Sequence, residues 1–232
     1  MLVPFYMEGK AMKRDDILTI EDMKKVTGLH FTTNHSGKMR GMQSLSTSCL
    51  ENEFCKTRSQ LGDTVCSHCY AERQMRMYTS MQQCFKKNTE ILTSRVLQDN
   101  ELPLLNAAFF RFEAFGDLCN ETQVINYFNI CKKNKKVHFA LWTKNLWFID
   151  DAIKNGHKKP RNLQIVYSSP HINCTAISAL STMPFVDKVF TVFDKDYIKA
   201  HNIEINCGDK CCLACQKCYL KSAERLINER IK

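Results

Sequence analysis

Nine of the thirteen cysteines in this 232-residue chain fall into two tight groups. The first, SCLENEFCKTRSQLGDTVCSHCYAE, spaces Cys49, Cys55, Cys66 and Cys69 as C-x5-C-x10-C-x2-C. The second, NCGDKCCLACQKCYLKSAERL, carries Cys207, Cys211, Cys212, Cys215 and Cys218. Four thiolates so close in sequence satisfy either tetrahedral Zn²⁺ or the four corners of a 4Fe–4S cluster. Thiolate count alone does not choose between the two metals. The first group lies between a strand and a long helical stretch rather than in a small lobe of its own, which favours an iron–sulfur cluster over a zinc knuckle. The positive end of the following helix would stabilise anionic sulfur there. His68 is either a further ligand or a solvent-facing loop residue, and Tyr70 packs over the cluster or fills core.

In the second group the run Cys212, Cys215, Cys218 has the C-x2-C-x2-C rhythm of ferredoxin ligands. Cys207 supplies a fourth thiolate, and Cys211 competes with Cys212 for its place. Zinc is the alternative metal here too. The remaining thiols, Cys84, Cys119, Cys131 and Cys174, are scattered and read as small core residues.

Elements must position these thiols. NETQVINYFNICKKN is an amphipathic helix with Val124, Ile125, Phe128 and Cys131 on one face. YAERQMRMYTSMQQCFKKNTEILTSRVLQ lacks Gly and Pro and holds two helices or one bent one. DDILTIEDMKKVTG offers a short helix with Thr19 as N-cap and Glu21 and Asp22 in its first turn. Apolar strands alternate with helices from a short strand near Met42–Thr47 onward: AAFFRFEAFGD, KVHFALWTKN, NLQIVYSSP and DKVFTVFD are the others. That alternation predicts parallel βα units, about five to six strands in a partial α/β barrel. Working residues in such folds lie at the carboxyl ends of strands. Those ends carry Cys49, Gly116–Asp117, Thr143–Lys144–Asn145, Ser168–Ser169, Asp194 and Cys207. The expected organisation is an N-terminal extension over residues 1–30, the partial barrel with the first cysteine group over 31–206, and a cysteine-rich segment with a closing helix over 207–232.

Net charge is +9, with 44% hydrophobic and 25% charged residues, ordinary for a globular chain. No apolar run is long enough for a membrane span, and the N-terminus lacks the pattern of a secretory signal. A reducing, cytoplasmic setting follows as an expectation, and a disulfide framework does not suit it. Lysines concentrate in CKKNKKVHF and GHKKPR, where they either attract phosphates and nucleic acid or solvate loops.

NHSGKMRGMQSLSTSC, CSHCYAE, FFRFEAFGDLCNETQVINYFNICKKNKKVHFALWTKN, LQIVYSSP and the terminal cysteines together resemble the phage gene-product-88-like family over about residues 31–220. More distantly the layout is similar to radical S-adenosylmethionine enzymes. That resemblance implies a 4Fe–4S cluster on Cys55, Cys66 and Cys69 with one open iron for S-adenosylmethionine. Gly116 and Asp117 would then meet the methionine amino group, with Lys144, Asn145, Ser168 and Ser169 lining the same mouth. Cys49 is a fourth ligand that would close the cluster, and the family spacing C-x3-C-x2-C is absent. The implied activity is reductive cleavage of S-adenosylmethionine at the reduced cluster to a 5′-deoxyadenosyl radical that abstracts hydrogen from substrate, and the second cysteine group would hold an auxiliary cluster. The substrate would be a small molecule or a nucleic acid, the partner an electron-donor protein, and the location the host cytoplasm. The alternatives are a non-catalytic iron–sulfur protein and a zinc-stabilised nucleic-acid-binding protein using the basic stretches, Trp142 and Trp147.

Overall fold

The computed structural model describes residues 27–62, 64–208 and 210–231, together with the backbone of residues 6, 7, 10 and 11. The helix expected around Thr19, Glu21 and Asp22 falls outside the described residues. Strands β1 (Tyr6–Met7) and β2 (Lys10–Ala11) pair antiparallel as a small ribbon.

The body of the chain is a seven-stranded sheet in which strand order follows chain order. It runs β3 (Phe31–Thr33), β4 (Gln43–Leu45), β5 (Phe109–Phe112), β6 (His138–Thr143), β7 (Leu163–Ser168), β8 (Lys188–Phe193) and β9 (Leu226–Arg230). β3 pairs antiparallel with β4, and every later pair is parallel. The sheet is open, with β3 and β9 as its edges. The expectation of parallel βα units therefore holds, while the sheet is not closed into a barrel.

Between β4 and β5 lie α1 (Glu53–Ser59), a 3-10 turn (Val65–His68), α2 (Tyr70–Met77) and α3 (Thr79–Ser94). The Gly- and Pro-free stretch is thus two helices, broken at Tyr78, whose backbone is extended. Next come α4 (Glu121–Lys133), α5 (Trp147–Lys154), α6 (Ala179–Thr182), α7 (Lys195–His201) and α8 (Cys212–Cys215). α4 starts where Asn120 accepts the Gln123 amide at 3.0 Å, has Glu121 in its first turn and ends in Lys132 and Lys133. This arrangement satisfies an open donor and suits the helix dipole at both ends.

Consecutive parallel strands joined by right-handed crossovers place their helices on one face of a sheet. On that face Leu45, Phe110, Phe112, Phe139, Leu141, Leu163, Ile165 and Val189 meet Leu92, Val124, Phe128, Ile130 and Ile149 in the main core. Phe112 stacks on Tyr127 at 4.2 Å and on Phe139 at 5.2 Å between ring centroids. The predicted apolar face of α4, with Val124, Ile125, Phe128 and Cys131, is buried here.

The other face carries Ser44, Arg111, Ala140, Trp142, Val166, Phe190 and Ile227, as the pairing register dictates. It is covered by the C-terminal cysteine segment, where Cys212, Cys218 and Tyr219 pack with Met42, Ala140 and Trp142. The closing helix expected after this segment is instead β9, parallel to β8 from Leu226 beside Val189 to Arg230 beside Phe193. Ile227 fills an apolar gap against Val166 and Phe190, and the edge of β8 offers unpaired amides and carbonyls, so a strand buries more than a helix here.

Candidate functional site

Parallel pairing brings the carboxyl ends of β4 to β8 to one rim. The loop after β5 enters it in a demanding conformation. Glu113 has φ of 54°, a left-handed backbone rarely adopted by residues other than glycine. Gly116 has φ of 78°, and a Cβ there would lie 2.5 Å from the Thr47 carbonyl oxygen, so only glycine fits. The close approach locks the β5 loop against residues 46–48 of the β4 loop, where the Phe115 amide also donates to Ser46 Oγ.

Glu113 anchors this junction. Its carboxyl meets the Thr47 amide at 3.2 Å, Gln123 Nε2 at 2.7 Å and the Tyr127 hydroxyl. Burial pushes it up to about 8, against the pull of these hydrogen bonds. The carboxyl is therefore mostly protonated at neutral pH, and the Thr47 hydroxyl donates to it at 3.0 Å while lying 3.2 Å from the Asp117 carbonyl oxygen. Glu113 belongs to no motif in the sequence. Its signal was an acidic residue directly after the apolar run FFRF.

Asp117 lies at the centre of the rim and is buried. One oxygen accepts from the Thr143 hydroxyl and, at 2.8 Å, from the Leu118 amide. The other accepts from the Lys144 amide at 2.9 Å. Both oxygens are thus engaged in fastening the β5 loop to the end of β6. Burial raises the Asp117 carboxyl, and the Lys144 charge is foremost among the effects opposing that rise. Asn145 is buried, with its amide on Thr143 Oγ1 at 2.9 Å. At the end of β7, Ser168 and Ser169 are buried, and the Ser169 hydroxyl donates to the Cys174 carbonyl.

The first cysteine group gathers over this rim. Cys49 follows β4, Cys55 lies in α1, Cys66 lies in the 3-10 turn, and Cys69 is the residue capping α2. The Cys49 thiol donates to Met75 Sδ at 3.4 Å, and Cys69 is its other hydrogen-bond partner. That hydrogen bond, helped by the amides of Glu72 and Ala71 and by the Lys144 charge, lowers Cys69 to about 6 despite burial. The same contact and burial raise the Cys49 thiol. Burial raises Cys55, with Asp117 adding to it, and burial raises Cys66 while Lys144 pulls it back. Tyr70 donates to the Ala114 carbonyl at 2.7 Å and sets its ring edge-on to Phe115 at 5.7 Å. It braces the β5 loop, in place of packing over a metal cluster.

The second group does not join the first. Cys207 bridges to Glu229 beside β9, and Cys212, Cys215 and Cys218 lie over the open face. Cys211 is the residue before α8. Of the scattered thiols, Cys131 is fully buried in the core and Cys174 is exposed.

Metal chemistry is not supported by this arrangement. Among the described residues, no group of three or more His, Cys, Asp or Glu side chains is placed to hold a metal ion. The expected iron–sulfur clusters at Cys49, Cys55, Cys66 and Cys69 and at Cys207, Cys211, Cys212, Cys215 and Cys218 are therefore corrected, and so is zinc at either group. Without a cluster, reductive cleavage of S-adenosylmethionine has no centre, and the radical-enzyme reading falls with it. The spacing was right for four ligands, yet the thiols are distributed over a loop, a helix, a turn and a helix cap. Cys49, Cys55 and Cys69 settle among Met75, Phe85 and Phe115. All thirteen cysteines are free thiols.

Fold and rim together define an open, singly wound α/β protein with a thiol-rich mouth at its strand carboxyl ends. The chain belongs to the Gene product 88 family, a phage protein family whose pattern it matches over residues 11–228. No curated protein matches the chain, and no solved structure does. The comparisons thus lend no support to a likeness to radical S-adenosylmethionine enzymes. Among the described residues no helix is long and apolar enough to cross a membrane.

Proposed function

We propose that this protein carries out two-electron thiol–disulfide exchange, with Cys69 as the attacking thiolate and Cys49 as the thiol that resolves it. The observation that carries this reading is the setting of Cys69: it is the residue before α2, packed in one cluster with Cys49, with the Cys49 thiol, the Ala71 and Glu72 amides and the Lys144 charge all favouring its thiolate. Reactive thiolates arise in such electropositive, half-exposed settings.

In the first step the Cys69 thiolate attacks one sulfur of a small-molecule disulfide. A Cys69–substrate S–S bond forms, the substrate S–S bond breaks, and one substrate thiolate leaves. Cys49 loses its proton to that leaving thiolate and attacks the Cys69 sulfur. The Cys49–Cys69 bond forms and the second substrate thiolate leaves. One protein thiolate and one protein thiol are oxidised to a disulfide, and the substrate disulfide is reduced to one thiol, carrying the Cys49 proton, and one thiolate, which takes its proton from solvent. A dithiol electron-donor protein returns the pair to the reduced state. Lys144 favours the thiolate and an anionic substrate. Gly116, Asp117 and Asn145 hold its loop in place, and Ser168 and Ser169 border the mouth at β7.

Iodoacetamide labelling against pH, read by peptide mass spectrometry, tests the reading. Cys69 should label with a midpoint near 6, rather than the ordinary thiol value of 9.0. Treatment with an aromatic disulfide should yield a Cys49–Cys69 cross-linked peptide, and Cys49→Ser should stop at a stable mixed disulfide on Cys69. A midpoint at the ordinary value, or no cross-linked peptide from the wild type, refutes the assignment.

A further inference from the structure

The C-terminal cysteine segment encloses a cavity of about 290 Å³ beside β9. Cys207, Cys212, Cys215 and Cys218 line it, whereas Cys211 does not. Two of the four lining thiols belong to α8, a single helical turn. The Cys215 amide donates to the Cys211 carbonyl at 2.9 Å, and the Gln216 amide to the Cys212 carbonyl at 2.9 Å. Residues three apart on such a turn share a face, with Cα atoms about 5 Å apart. A disulfide spans Cα separations of roughly 4.4–6.8 Å, so Cys212 and Cys215 lie within reach of one bond. Both are half-buried and face the same space, which opens the pair to a small reagent.

The turn is docked firmly. The Cys212 amide donates at 2.7 Å to the carbonyl of Lys38, in the loop between β3 and β4. Leu213 packs on Gly41 of that loop, where a Cβ would come within 2.9 Å of Leu213 Cδ1. After α8 the chain turns through Gln216, whose φ of 57° is left-handed. Cys218 then packs against Ala140, Val166 and Ile227 on the sheet. Burial pushes its thiol up to about 12, which withholds it from exchange at neutral pH.

We propose that Cys212 and Cys215 form a second redox site, a dithiol that small-molecule disulfides oxidise reversibly within this cavity. One thiol of the pair gives its proton to solvent and attacks a substrate sulfur. A protein–substrate S–S bond forms, the substrate S–S bond breaks and one substrate thiolate leaves. That thiolate takes the proton of the second cysteine, which attacks the mixed disulfide and releases the other substrate thiolate, protonated from solvent. Two protein thiols are oxidised, and one disulfide is reduced to two thiols. The ring so closed spans only the four residues of α8 and is half-exposed, so the bond is labile rather than a structural staple.

Trypsin isolates the site, because Lys210 and Lys217 bracket residues 211–217 and leave Cys218 in a separate peptide. The folded protein is equilibrated with bis(2-hydroxyethyl) disulfide and 2-mercaptoethanol, alkylated and digested. The 211–217 peptide should lose two hydrogens and carry one alkyl group, on Cys211, and excess dithiothreitol should restore all three thiols. At the ratio that half-oxidises the pair, the exposed lone thiol Cys174 should carry roughly tenfold less mixed disulfide, because no neighbour closes a ring with it. Cys215→Ser should leave only a mixed disulfide on Cys212. Cys69→Ser should oxidise at α8 as the parent does, which separates this site from the exchange reaction at the rim. A 211–217 peptide that stays reduced in the folded protein, one whose alkyl group is on Cys215, or one cross-linked to the Cys207 or Cys218 peptide overturns the proposal.

Discussion

Glu113 and Cys69 are two ionisable groups whose surroundings push them in opposite directions. Glu113 is raised from 4.5 to about 8, so the stability it contributes is complete below 4.5 and is lost as pH rises through 8. Cys69 is lowered from 9.0 to about 6, so its contribution is complete above 9.0 and is lost as pH falls through 6. Between these limits the two slopes oppose each other. Glu113→Gln mimics the protonated carboxyl and should remove the decline on the alkaline side. Urea denaturation from pH 5 to 9 should then show stability rising with pH, owing to Cys69. At neutral pH the substitution should cost under about 1 kcal/mol, whereas Glu113→Ala leaves Thr47, Gln123 and Tyr127 without their acceptor and should cost about 3 kcal/mol or more. A Glu113→Gln protein whose stability still declines toward alkaline pH would contradict the protonated assignment.

At the scale of elements, the last strand is the informative one. Ile227 is 1% exposed against Val166 and Phe190. Ile227→Ala should destabilise the protein by about 2–5 kcal/mol, read as a lower denaturation midpoint with an unchanged slope. A helix in solution at this position would leave that residue tolerant. YLKSAERLINERIK has good helix formers throughout, and local propensity alone reads it as helix. What decides otherwise is the open edge of β8, which is set by residues nearly forty positions earlier and is invisible to a local reading. Where the signal was periodic, as in α4 and the strands β5 to β8, the pattern located the elements. The rim was legible for the same reason: βα alternation put Cys49, Asp117, Lys144 and Ser168 at strand ends. Thiol spacing was a poorer guide. It reports how far apart ligands are in sequence, whereas metal binding depends on where helix caps and turns direct the sulfurs. Glu113 had only the weak signature of an acidic residue after an apolar strand, because its importance comes from partners on neighbouring elements, Thr47, Gln123 and Tyr127.

For the whole molecule, sequential strand order separates three surfaces. Helices cover one face, the cysteine lid covers the other, and the strand ends divide the thiol rim from the opposite end. The lysine-rich stretches that gave the sequence its basic character fall at that opposite end, before β6 and β7, where Lys135 and Lys158 are exposed. Lys159 there is paired with Asp187. Charge at such a distance is largely screened at physiological ionic strength. Replacing Lys135 and Lys158 together with Glu should leave the labelling midpoint of Cys69 unchanged within error, whereas Lys144→Gln should shift it upward. A shift from the distant pair would mean that global charge, rather than the rim, sets the thiolate.

Because each strand pairs with the one made just before it, the sheet is suited to assembly in the direction of translation. Every new hairpin or crossover emerging from the ribosome finds its docking edge already present, and no early strand waits for a late one. The exception is the final ribbon of backbone, which holds the cysteine lid down and is synthesised last. Premature termination near residue 220 would thus spare the thiol mouth and leave the cysteine lid without the strand that fastens it, so the two ends of the sheet are completed at different times.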